Sequence, residues 1–410
     1  MEIKRNIYLN KLISKKHNGL IKVVTGIRRC GKSYLLFNLF KDHLLAEGVN
    51  PRHIIEIAFD SFENRKFRDP DVLYPYMKEQ IQDEDMYYVL LDEVQLLDEF
   101  EAVLNSLIRM KNVDIYVTGS NAKMLSQDVA TTLGGRYITV HVYPYDFKEF
   151  LYANGVEVTE NSLFATESRA EIKRIFNDYF RSGGFPEGAS LAAKRDYLTS
   201  VYQKIYLGDI AARHSIENTF ALRILFRKLA ESIKQPVSFT RITNIVASTG
   251  VKISKNTVIN YMEYAKDACL LIPIQNIADK LVERETNPKY YFADNGILNL
   301  LLLDADTSLL ENLVAVTLLR RYGTDDAVFF YNRNVEVDFY LPDTGVAIQV
   351  CYTMNLSDET FQREVQALVK LNKVFECRQL LIITYDDEER IELEKCAIEV
   401  IPVWKWLLGK

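Results

Sequence analysis

In the first third of the chain, apolar residues fall into short unbroken runs separated by stretches of helical spacing. Residues 20–25, Leu-Ile-Lys-Val-Val-Thr, predict a strand rich in branched side chains. Leu35, Leu36, Leu39, Phe40 and Leu44 recur at helical intervals and predict one apolar helix face over residues 34–45. Tyr87 to Leu91 is continuous, as a strand covered on both faces of a parallel sheet requires. Residues 98–110 place Phe100, Val103, Leu104 and Leu107 on a helix face, and residues 113–118 and 137–142 read as further strands.

Beyond Pro144 the spacing becomes mostly helical. Helices are predicted over residues 146–152 and 171–181, then a turn at Gly183-Gly184-Phe185-Pro186, then a longer helix over 194–213 with Leu198, Val201, Ile205 and Ile210 inward. Residues 220–233 read as another helix. Ser238 caps a helix with Phe239, Ile242 and Val246 inward, Gly250 makes a turn, and Ser254 caps a helix with Val258, Met262 and Ala265 inward. The last part alternates: a helix over 307–321, strands over 328–331, 335–341 and 346–351, a helix over 361–371, and strands over 380–384 and 397–402.

Composition narrows the class only slightly. The chain has 410 residues, 48% hydrophobic and 26% charged, with a net charge of -6. That suits a globular protein of several domains and gives no general pull toward nucleic acid, although a local basic patch acts independently of the sum. Cys30, Cys269, Cys351, Cys377 and Cys396 are scattered and show no CxxC spacing, so they predict reduced thiols rather than a disulfide framework or a zinc site. The longest apolar runs, such as Leu300 to Leu303, are far too short to span a bilayer, and the N-terminus lacks an apolar signal core; the expectation is a cytoplasmic protein with no membrane partner.

The chemistry begins between the first strand and the first helix. Gly26-Ile27-Arg28-Arg29-Cys30-Gly31-Lys32-Ser33 satisfies G-x-x-x-x-G-K-[ST] at every fixed position, and Tyr34 continues into the helix. Glycines at both ends let the backbone N–H groups turn toward phosphate oxygens, and the helix N-terminus adds its dipole. Lys32 places an ammonium against the β and γ phosphates of ATP, and the Ser33 hydroxyl ligates Mg²⁺. The acidic strand ends at Asp92-Glu93: Asp92 would hold the Mg²⁺ shell and Glu93 would act as general base on the attacking water. Ser120 and Asn121, after the strand over 113–118, are candidates to sense the γ-phosphate, a role that coexists with capping the next helix. Arg136, just before the strand over 137–142, is either a surface arginine in a turn or a residue reaching the phosphate of a neighbouring subunit, which would imply a homo-oligomer. Arg181 and Arg213 read as exposed helix-end arginines, with phosphate contact as the alternative. No motif separates adenine from guanine.

Taken in this order, these residues resemble the AAA+ superfamily. Together with Leu91-Asp92-Glu93-Val94-Gln95, Thr118-Gly119-Ser120-Asn121 and Gly183-Gly184-Phe185-Pro186-Glu187, they are similar over nearly the whole chain to a group of bacterial and archaeal ATPases. The resemblance implies an α/β fold with a P-loop AAA+ parallel sheet over residues 1–145 and a helical lid over 146–218. A winged helix over 219–285 and a PD-(D/E)xK nuclease-like fold over 286–410 would follow. From Ala221 to Lys266, Arg223, Arg227, Lys228, Lys234, Arg241, Lys252, Lys255 and Lys266 stand against only Glu231 and Glu263, with Asp267 next, so residues 219–270 offer either a DNA surface or a solvated charged face. In the nuclease-like part, Glu311 and Asp338 stand where two acids belong, with Glu336 on the same strand face as Asp338. Gln349 and Cys351, however, replace the Glu and Lys of the family pattern. That implies a degenerate site used for structure or binding rather than cleavage. The functional expectation is an ATPase whose turnover switches C-terminal modules that bind DNA or a protein partner. The rivals are a nucleotide-gated DNA-binding module with little turnover and a Mg²⁺-dependent nuclease.

Overall fold

The computed structural model describes residues 3–119, 133–159, 165–323, 326–354, 359–394 and 396–409. They form two compact units: residues 1–144 with 267–269, and the remaining residues from 145 on.

The first unit is built on a five-stranded sheet. Its strands are β1 (Ile21–Thr25), β2 (Ile54–Ala58), β3 (Tyr87–Asp92), β4 (Val113–Thr118) and β5 (Tyr137–His141), all parallel, in the order β2-β3-β4-β1-β5. Every residue of β1 and β3 is buried, which explains their unbroken apolar character. Val23, Val89, Leu91, Ile115 and Val117 pack with Phe100 and Leu104 of the Phe100–Leu107 helix in one core. Strand β2 lacks a distinctive spacing of its own and was not legible in the sequence. The helix after β1 starts at Lys32 and passes through a π-helical stretch, Leu35–Phe40, before continuing over Lys41–Ala46. One charged pair is sealed inside the sheet: the Lys22 ammonium meets the Asp114 carboxylate, which also accepts from the Tyr116 hydroxyl at 2.9 Å and from the His17 backbone at 3.1 Å.

The second unit holds an eight-stranded mixed sheet. Its strands are β6 (Leu271–Asn276), β7 (Lys289–Phe292), β8 (Phe329–Asn332), β9 (Glu336–Leu341), β10 (Val346–Val350), β11 (Gln379–Thr384), β12 (Glu389–Glu392) and β13 (Ala397–Pro402). The order is β12-β13-β11-β10-β9-β8-β6-β7. Three of the four residues of β12 are exposed and three are charged, which suits an edge strand. Helix Asp306–Tyr322 buries eleven consecutive residues from Leu309 to Leu319, Glu311 and Asn312 among them, and so has no solvent-facing side over that stretch. The helices before β6 are Phe147–Ala153, Thr166–Ser182, Lys194–Gln203 with its π-helical continuation Lys204–Ala212, Thr219–Glu231, Phe239–Ala247 and Lys255–Asp267. Asp146 and Glu149 form a reciprocal capping box at the first, and Ser238 caps Phe239–Ala247 by accepting from the Arg241 N–H at 3.2 Å.

The Gly183-Gly184-Phe185-Pro186 turn is fixed by a buried carboxylate. Asp294 accepts from the Gly184 N–H at 2.7 Å and from the Gly296 N–H at 2.7 Å, and burial pushes its pKa up to about 6 against those donors. Gly183 has φ 70, and a Cβ there would overlap the Asp294 carboxylate; a Cβ on Gly184 would overlap the Tyr145 carbonyl. Gly184→Ala should therefore lower the unfolding free energy by roughly 1–3 kcal/mol through overpacking. Gly208→Ala, whose new methyl meets only ordinary contacts with the Lys204 side chain inside a helical stretch, should be neutral or stabilising. Urea denaturation of the two variants side by side measures the difference.

Candidate functional site

The loop between β1 and the Lys32 helix is confined on several sides. Gly26 has φ 142, and a Cβ there would overlap the Val142 carbonyl and press on the Cys30 sulfur. Gly31 has φ 97 and sits at the N-terminal end of the helix with no side-chain cap, which leaves backbone N–H groups for an anion. The buried Arg5 guanidinium donates to the Cys30 carbonyl at 2.5 Å and to the Tyr143 carbonyl at 2.6 Å, tying the N-terminal segment to the loop and to the end of β5. Lys32 Nζ donates to the Gly26 carbonyl at 2.9 Å and the Ile27 carbonyl at 3.3 Å, so its ammonium lies within the curve of the loop. Beside it, His141 lies 3.2 Å from the Thr25 hydroxyl through Nδ1. Burial and then the Lys32 charge push this imidazole down to about 4, so it adds no positive charge at neutral pH.

The acid arrives from two strands away. Because β4 lies between β1 and β3, the end of β4 borders both the phosphate loop and Asp92. Asp92 Oδ1 accepts from the Ser33 hydroxyl at 3.0 Å and also from the Thr118 hydroxyl. Thr118 Oγ1 in turn accepts from the Glu93 backbone N–H at 3.1 Å. Burial raises the Asp92 pKa, the Thr118 and Ser33 hydroxyls pull it back, and the charges of Glu93 and Asp60 push it up again. Glu93 has φ 55, and its carboxylate accepts from the Gln95 amide. Ser33 and Asp92 therefore converge as two hard oxygen donors, a set that fits Mg²⁺.

The sequence expectation brought Gly26, Gly31, Lys32, Ser33, Asp92 and Glu93 together, and these residues do share the site. It missed Thr118, whose role follows from strand order and carries no motif, and Arg5. Ser120 and Asn121 lie outside the described residues. Arg136 is exposed and precedes Tyr137, which pairs with Ile21 at the far end of β1 from the phosphate loop, roughly 13 Å of strand away. Arg181 pairs with Asp306 at 3.0 Å, and Arg213 lies 3.9 Å from Asp209.

Residues 18–151 match the family described as AAA domain, and residues 173–308 match a domain of unknown function. An uncharacterized protein of Haemophilus influenzae is 31% identical over 99% of this chain and 98% of its own length. An uncharacterized protein of Methanocaldococcus jannaschii is 32% identical over 99% of this chain and 91% of its own. The chain belongs to their family, and its residues 18–151 make it a protein with an AAA domain of the P-loop type. Among solved structures, the Walker-type ATPase of Pyrococcus abyssi is 18% identical with a TM-score of 0.46, covering 73% of this chain and 96% of that one.

This AAA-domain protein carries a second charged cluster, in its C-terminal sheet. Lys289 of β7 is fully buried and its Nζ lies 3.4 Å from Glu311, 3.1 Å from Glu336 and 3.4 Å from Asp338. Burial works against the ammonium, but the carboxylates outweigh it and hold its pKa above the usual value. Burial, opposed by Lys289, raises Glu311 to about 7, and Glu311 also accepts from the Tyr291 hydroxyl at 2.8 Å. Gln349 is fully engaged. Its carbonyl accepts from the Asp338 N–H at 2.7 Å, and its amide donates to the Glu336 carbonyl at 3.2 Å and to the Glu364 carboxylate. Cys351 is buried and supplies no cation; Lys289, from a different strand, does.

Two predictions follow from these geometries. Thr118→Val removes the acceptor of the Glu93 N–H and one of the two hydroxyl donors to Asp92 and should weaken Mg·ATP binding by about 1–3 kcal/mol, while Thr118→Ser preserves it; titration with a fluorescent ATP analogue measures both. Lys289→Ala leaves the buried Glu311 carboxylate without its counter-charge, next to the half-buried Asp338, and should cost about 3–5 kcal/mol of stability, read as a lower denaturation midpoint.

Proposed function

We propose that this protein is a Mg²⁺-dependent ATPase whose turnover switches C-terminal modules between partner-binding states. The observation that carries the reading is the convergence of Ser33, Asp92, Thr118 and Glu93 beside the phosphate loop. Lys32 would exchange the Gly26 and Ile27 carbonyls for β- and γ-phosphate oxygens, and the residues from Gly26 to Tyr34 would cradle the phosphates. Ser33 and Asp92 would hold Mg²⁺, which supplies charge neutralisation on the phosphates. Glu93 would take the proton of the attacking water, with Gln95 holding its carboxylate. Asn121 remains the candidate γ-phosphate sensor. Arg136, placed away from this chain's loop, would act only on a neighbouring copy in a homo-oligomer.

Residues 146–218 would form a lid and residues 219–285 a winged helix contacting DNA through 219–270. Support for DNA contact comes from Arg241, Lys252 and Lys255, which are exposed and carry no ion pair among the described residues. Lys228 and Lys266, in contrast, are paired within their own helices. Residues 286–410 would be a nuclease-like fold retained for binding. Lys289 already neutralises Glu311 and Asp338, and Gln349 spends its amide on hydrogen bonds rather than on a metal. The setting would be the cytoplasm; no helix among the described residues is long and apolar enough to cross a membrane.

Steady-state ATP hydrolysis with Mg²⁺, with and without DNA, tests the reading. Glu93→Gln should bind ATP normally and lose about 10²–10⁴-fold in turnover, and Lys32→Ala should lose nucleotide binding. DNA-stimulated turnover that weakens with salt supports the DNA-linked form; turnover indifferent to DNA points to a protein partner. Equal turnover in wild type and Glu93→Gln refutes the assigned base.

A further inference from the structure

Helix Lys255–Asp267 places Thr257, Asn260, Tyr261 and Tyr264 at spacings of three, four and seven residues, on one face. With His214, Lys252 and the 215–218 turn they line a cavity of about 410 Å³. His214 and Tyr264 stack face to face, with centroids 3.5 Å apart and planes 6° from parallel. The Nε2 atom of His214 is buried and has no hydrogen-bond partner. Such an atom is costly unless a ligand or water completes it.

The walls around this stack are held in place locally. Ser215 adopts φ 50, the Ile216 N–H donates to the Ala211 carbonyl at 2.8 Å, and Asn218 caps the Thr219–Glu231 helix by accepting from the Ala221 N–H at 3.0 Å. Ser254 caps the facing helix by accepting from the Thr257 N–H at 3.0 Å. Burial, then the neighbouring Arg213 charge, lowers the His214 pKa, so at neutral pH its ring offers a directional hydrogen bond and no charge. The lining contains one cation, Lys252, and one carboxylate, Glu217, so it does not favour a bare anion. Flat aromatic surface, an amide, a hydroxyl, an uncharged imidazole and a single lysine are together the chemistry that recognises a nucleobase and its phosphate.

We propose that this cavity takes one unpaired nucleobase of a nucleic-acid strand, packed against the His214–Tyr264 pair with Lys252 beside its phosphate. The inference rests on the DNA-contact reading above and sharpens it from a charged surface to a site for an unstacked base. A free mononucleotide shares this chemistry and is the alternative source of the base.

Fluorescence anisotropy with a labelled short single-stranded oligonucleotide tests it on the full chain. Tyr264→Ala should weaken binding about tenfold, and Tyr264→Phe should restore it to within about twofold. A strand carrying abasic sites should bind wild-type protein as weakly as the intact strand binds Tyr264→Ala, a comparison that needs no folding control. Adenosine monophosphate added to Lys32→Ala protein, where the phosphate loop is disabled, identifies the source. Binding that Tyr264→Ala removes assigns the cavity to a free nucleotide and still supports the base site. Equal affinity for intact and abasic strands, with no mononucleotide binding, overturns the inference. Duplex-stimulated ATP turnover persisting in that case would leave the broader ATPase reading standing.

Discussion

One carboxylate oxygen joins the ends of three strands. Asp92 Oδ1 accepts from Ser33, just past β1, and from Thr118, the last residue of β4, while Asp92 itself closes β3. The sheet order makes this necessary: β4 separates the phosphate-loop strand from the acidic strand, so the two motifs can meet only across its end. A hydroxyl at Thr118 bridges that gap in both directions, donating to Asp92 and accepting from the Glu93 backbone. The same hydroxyls oppose the burial that raises the Asp92 pKa. Strand order, loop conformation and the environment of the Asp92 carboxylate thus form one constraint.

The two units handle a buried ammonium in opposite ways. Lys32 rests on backbone carbonyls, neutral acceptors that an incoming phosphate can replace at little electrostatic cost. Lys289 is surrounded by Glu311, Glu336 and Asp338, and leaving that cage would strand the buried Glu311 without a counter-charge. One lysine is held ready for exchange and the other is locked, although both are buried.

What was legible in the sequence was whatever the chain encodes locally. The phosphate loop, the acidic strand, the strand over Val113–Thr118 and the caps at Ser238 and Ser254 all rest on residues within a few positions of one another. Contacts between distant segments left no such trace. Lys289 lies 22 residues from Glu311 and 49 from Asp338, so the pattern at Gln349 and Cys351 alone suggested that the cluster lacked a lysine. Arg5 reaches 25 residues to Cys30 with no spacing rule to announce it. The double glycine was readable as a turn, but its cause, the Asp294 carboxylate 110 residues later, was not. Arg136 stands before its strand, as the sequence placed it, at the end of the sheet away from this chain's own loop.

Cys30 gives the phosphate loop a natural stopwatch. Its thiol is fully buried against Gly26, so an alkylating reagent can reach it only when the loop opens. Cys269 and Cys351 are also buried, whereas Cys377 and Cys396 are half-exposed and would react first. Modification followed at Cys30 itself, by mass spectrometry of its peptide, separates it from the other buried thiols and reports how often the loop opens, without any introduced label.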